Sequence, residues 1–147
     1  MGKKTRVVLD TNIWISIFFS KVLAKEFEEL LKNDKIEIFT SSEILKEISR
    51  VLEYPKIKKI LESSGIGSKD VVEEILKVSV VVNPKEKFNV IGEDPEDNKF
   101  LECAVECAAE FLVSGDRHLL KLGEFKEVKI IPARDFLEKM KNLGQQK

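Results

Sequence analysis

The stretch Val7-Val8-Leu9-Asp10-Thr11-Asn12 runs three strand-favouring apolar residues into an aspartate and two small polar side chains. An apolar run without alternation reads as a strand of a parallel sheet, buried on both faces. Ligands of such sheets bind beyond the carboxyl ends of the strands, which is where Asp10 falls.

Outward from this strand, helical patterns alternate with short apolar runs. Residues 12–20 are apolar nearly all round, and 22–33 place Val22, Leu23, Phe27, Leu30 and Leu31 on one helical face. A second strand is expected at 36–39. Thr40-Ser41-Ser42-Glu43 has the spacing of a capping box and predicts a helix to Leu52, stopped before Pro55. Further helices are expected at 56–61 and 68–77, the latter with Val72, Ile75 and Leu76 inward, and a third strand at 78–82. After a polar connection at 83–92, Asp94-Pro95 predicts a helix capped by Asp94 and running to Glu110. Strands at 111–113 and 128–131, a helical turn at 117–122 and a helix at 133–141 complete the order. The expected fold is α/β: a single three-layer α/β/α domain over residues 1–147 around a central parallel sheet. Its core would span about 6–141, with a polar tail at 142–147.

The chain has 147 residues, 43% of them hydrophobic and 35% charged, a globular rather than disordered composition. A formal net charge of −1 gives no global pull toward nucleic acid, so phosphate binding would need a local basic patch or metal ions. Lys3, Lys4 and Arg6, or Lys56, Lys58 and Lys59, are candidate phosphate contacts, solvated charge being the plain reading of each. The first apolar run is too short for a signal peptide or membrane span, and Arg6 breaks a myristoylation pattern at Gly2. The expectation is a cytoplasmic protein.

Four carboxylates stand out. Asp97 precedes Leu101 by four residues and so lies in the apolar stripe of Leu101, Ala104, Val105 and Ala108, where an ionised group is costly. Glu47 flanks the Ile44, Ile48, Val51 stripe. Asp116 repeats the Asp10 pattern, an apolar strand ending in Ser114-Gly115-Asp116. Each has a plain reading: Asp97 as a first-turn acid, Glu47 as a surface residue pairing with Arg50, Asp10 and Asp116 as helix caps. Together they gather on one rim of a parallel sheet, and converging carboxylates persist by protonation or by binding a cation. Oxygen ligands without nearby His or Cys suit Mg²⁺ or Mn²⁺.

With Val8-Leu9-Asp10-Thr11-Asn12, Glu47 within Ser41–Ile48, Asp94-Pro95-Glu96-Asp97-Asn98-Lys99 and Ser114-Gly115-Asp116, the chain resembles the PIN domain family over about 7–131. Its closest likeness is to toxin components of prokaryotic toxin–antitoxin systems. The resemblance implies a metal-dependent endoribonuclease that hydrolyses RNA phosphodiester bonds by metal-activated water. It puts Asp10, Glu47, Asp97 and Asp116 on the family's acidic quartet, with Glu47 ligating directly or through water. Thr11, Asn12 and Ser114 fall on the polar positions that orient ligands, and Asp94 is an extra acid read as the cap. The implied partners are an RNA substrate, a cognate antitoxin and a second copy of the chain.

Two other readings remain. A haloacid-dehalogenase-type phosphatase needs an acid where Asn12 stands. A non-catalytic RNA- or protein-binding module would reduce the acids to caps and turns. Cys103 and Cys107 share a helix face without further thiols, so they read as reduced core residues rather than a zinc site; His118 follows Asp116 by two residues, within reach of a substrate, but with a metal-bound water available no catalytic base is expected there.

Overall fold

The computed structural model describes residues 3–92 and 94–145; Gly2 and the last two residues of the expected tail lie outside them. The strands are β1 (Thr5–Leu9), β2 (Ile36–Ser41), β3 (Ser79–Val82), β4 (Phe111–Val113), β5 (Glu124–Phe125) and β6 (Val128–Ile131). The helices are α1 (Thr11–Phe19), α2 (Lys21–Lys32), α3 (Ser42–Leu52), α4 (Pro55–Ser63), α5 (Ser68–Val78), α6 (Asn98–Glu106), α7 (Arg117–Leu122) and α8 (Ala133–Gln145). A turn of 3₁₀ helix, Pro95–Asp97, precedes α6.

The strands form one sheet in the order β3-β2-β1-β4-β6-β5. All neighbours pair in parallel except β5, which runs antiparallel to β6. Successive strand residues point to opposite faces. Val7 and Val8 in β1, and Leu112 and Val113 in β4, are all 0% exposed, so both faces are covered. This is the mixed α/β architecture expected, a largely parallel sheet flanked by helices. Phe136 of α8 packs against Phe27 of α2 and Phe111 of β4, with ring centroids 5.8 and 5.7 Å apart. From β1 the chain winds outward through β2 and β3, then crosses back to place β4 on the other side of β1. The gap between the ends of β1 and β4 is therefore the sheet's topological switch point, the usual ligand crevice of such folds.

Local details depart from the sequence expectations for identifiable reasons. Pairing of Thr40 and Ser41 with Val81 and Val82 extends β2 beyond the expected 36–39, so α3 is capped by Ser41, not Thr40. Helix α5 is capped at Gly67, whose N–H donates to Asp70, while the Ser68 hydroxyl donates to Glu53. Its inward face is Val71 and Ile75, and Leu76 is exposed. Val22 lies off the buried face of α2, 71% exposed. The expected helix from Asp94 to Glu110 divides into the 3₁₀ turn and α6, and the Asp94 side chain makes no cap hydrogen bond. Helix α8 runs on to Gln145 through most of the expected tail. No helix among the described residues is long and apolar enough to cross a membrane.

Candidate metal centre

Asp10 follows β1 directly and is 2% exposed. Its Oδ1 accepts the Ile13 N–H at 2.9 Å, capping α1. Its Oδ2 accepts the Ser114 hydroxyl and, at 3.3 Å, the Gly115 N–H from the end of β4. Ser114 in turn accepts the Asp116 N–H at 2.9 Å, so one buried hydroxyl ties the two strand ends together. Asp116 caps α7 through Oδ1, which accepts the N–H groups of His118 and Leu119 at 2.8 and 3.2 Å. The capping readings of Asp10 and Asp116 are thus correct, and capping is what fixes where each carboxylate stands.

Asp97 ends the 3₁₀ turn and is 7% exposed. Its Oδ2 is buried without a hydrogen-bond partner. Asp94, Asp97 and Asp116 bring carboxylate oxygens within 4.8 Å of one another. The turn that carries Asp94 and Asp97 is pinned by buried Asn98, which accepts the Val90 and Ile91 N–H groups at 3.0 and 2.9 Å and donates to the Ile91 and Pro95 carbonyls. Burial first, then the Asp116 carboxyl, close enough to share a proton, and the charges of Asp94 and Glu47 push Asp97 up to about 8. Burial likewise raises Asp10, against the hydrogen bonds that lower it.

Glu47, on α3, faces the same cluster and contributes to the Asp97 shift, but lies outside the close trio. It accepts the Thr11 hydroxyl on Oε2 and the Lys99 ammonium at 2.5 Å on Oε1, with Arg50 at 3.9 Å. Asn12 is exposed on the first turn of α1. Cys103 and Cys107 are buried free thiols and belong to no cluster of metal-ligating groups among the described residues.

Two members of the site escaped the sequence reading. Asp94 was assigned to capping, although three-residue spacing from Asp97 puts both on one side of a helical turn. Lys99 carried no signal, since a lysine beside acids reads as solvated charge. The trio's oxygens fit a hard divalent cation: an orphaned buried carboxylate oxygen is costly, and a cation would satisfy it.

The carboxylate cluster lies beside the sheet's topological switch point, where open α/β folds hold their ligands. Residues 6–118 match the PIN domain family model, and the chain belongs to that family, whose members are generally nucleases. It is also 37% identical over 133 residues to the uncharacterized protein MJ1680 of Methanocaldococcus jannaschii, covering 86% of this chain and 81% of that one.

Proposed function

We propose that the protein is a Mg²⁺- or Mn²⁺-dependent endoribonuclease of the toxin type. The observation that carries this reading is a buried Asp97 with an unpartnered Oδ2, in a trio whose carboxylates come within 4.8 Å of one another. Asp94, Asp97 and Asp116 would hold the cation, with Asp10 on the adjoining strand end and Glu47 at the rim. A divalent cation held there supplies Lewis-acid chemistry on a phosphodiester. The chain's own part is positional. Ser114 and the Gly115 N–H fix Asp10, the α7 N-terminus fixes Asp116, and Asn98 fixes the turn carrying Asp97.

The reading brings partners with it: RNA as substrate, a cognate antitoxin, and a second copy of the chain, in the cytoplasm. Support for a protein partner comes from exposed Phe19 and Val22, near an apolar cleft of about 310 Å³ lined by Trp14, Phe18, Phe27 and Leu31. Cleavage of a mixed RNA panel with Mn²⁺, beside an EDTA control, tests the activity. The expected result is RNA cut only with the metal; cleavage that persists in EDTA contradicts it.

A further inference from the structure

The two halves of the site meet positive charge differently. No Lys or Arg among the described residues forms an ion pair with Asp10, Asp94, Asp97 or Asp116. Glu47 is the opposite case, with both carboxylate oxygens engaged. Oε1 holds the Lys99 ammonium at 2.5 Å and Oε2 the Thr11 hydroxyl. The Lys99 side chain is 11% exposed and that of Glu47 16%. Nζ is anchored again by Glu96 at 3.0 Å and lies 5.8 Å from the centre of the Phe100 ring. A shielded ammonium with three anchors is unlike a surface ion pair, whose charges are screened and mobile.

Two-ion nuclease sites set their metals about 3.5–4 Å apart, so each needs carboxylate oxygens of its own or shares a bridging one. Each Glu47 oxygen keeps a lone pair beyond its bond to Lys99 or Thr11, but the carboxylate charge a second ion would need is already neutralised by the ammonium. An ion placed there would also sit against an ammonium with like charge. We propose that Lys99 is a built-in cation for the Glu47 half, so that the protein binds one divalent ion, at Asp94, Asp97 and Asp116, and not two. Lys99 is then a positioning residue: it neutralises and orients Glu47 and keeps a second metal out. This inference rests on the metal-centre reading and adds the count of ions to it.

Mn²⁺ titration of the full chain, with free Mn²⁺ followed by electron paramagnetic resonance, tests it without any activity measurement. The wild type is expected to bind one Mn²⁺ per chain. Lys99→Gln should double that count, Glu47→Gln added to it should return the count to one, and Lys99→Arg should leave it at one. Should the Gln variant fail to fold, Lys99→Met keeps the stem against Phe100 and serves the same comparison. Two ions on the wild type, or a single ion on the neutral Lys99 variants, overturns the inference and leaves the metal centre standing. No bound Mn²⁺ on the wild type overturns both.

Discussion

At the scale of single residues, Asp97 combines the site's cost and its use. In the metal-free protein its carboxyl titrates near 8, while in the unfolded chain it returns to the ordinary 3.8. Between those values the folded state keeps a proton that the unfolded state has released. Stability from this group is therefore full below the unfolded value and lost as pH rises through about 8. Asp10, also raised, adds a loss of the same sign. The melting temperature of metal-free protein should thus fall from pH 5 to pH 8.5. Asp97→Asn should flatten that fall and melt higher than wild type at pH 8.5, because a neutral amide in place of the carboxyl removes a negative charge from beside Asp116. Thermal scans in EDTA across this range check it; an unchanged pH profile in the variant would place the strain elsewhere. Metal and proton compete for the same oxygens, so Mn²⁺ should stabilise the wild type more at pH 8.5 than at pH 6. At a hundred times its dissociation constant the gain is about 2.7 kcal/mol.

At the scale of elements, what was legible in the sequence follows from where local chemistry speaks. The strand-end acids, the parallel strands and helices α1 to α8 were readable because apolar runs and periodicity carry them. Stops and turns were not readable where the usual residues are missing. Helix α6 ends in a Schellman arrangement, with Ala109 N–H on the Ala104 carbonyl at 2.8 Å and Ala108 N–H on that of Val105 at 3.1 Å. Ala108 has φ +54°, a place usually given to glycine, so nothing marked the stop and the helix was extended to Glu110. Lys126 and Glu127, with φ +45° and +72°, make the two-residue turn between β5 and β6. Without Asn-Gly there, the antiparallel edge pair went unseen. Asp94 was misjudged for a related reason: in front of α6 the chain makes a 3₁₀ turn, where the Asp94 side chain forms no cap hydrogen bond and its carboxylate comes within 4.8 Å of those of Asp97 and Asp116. Left-handed alanine costs roughly 1–2 kcal/mol, part of which glycine returns as chain entropy. Ala108→Gly should therefore stabilise by about 0.5–1 kcal/mol in denaturant unfolding; a loss of stability would contradict the account of this helix end.

At the scale of the molecule, the sheet order does the assembling. Because β4 inserts beside β1 after the chain has wound out to β3, residues about a hundred positions apart share one hydroxyl, that of Ser114. Helices α3 and α6 then bring Glu47 and the Asp97 turn to the same rim. Site membership could be read from the sequence only as a set of acids on that rim; their division into a trio with no Lys or Arg ion pair among the described residues and a Glu47 already paired required the packing. The apolar surface on α1 and α2 belongs to this scale too. If it seats a second copy, sedimentation equilibrium should give a dimer that Val22→Asp converts to monomer, and a wild-type monomer would remove that support.

The central claim, that the carboxylate trio works as a catalytic metal site on RNA, is tested most directly by comparing RNA cleavage by wild type and Asp97→Asn in Mn²⁺. The account predicts cutting by the wild type and a loss of about a hundredfold or more in the variant, which should be no less stable without metal. Equal cleavage by the two proteins would contradict it.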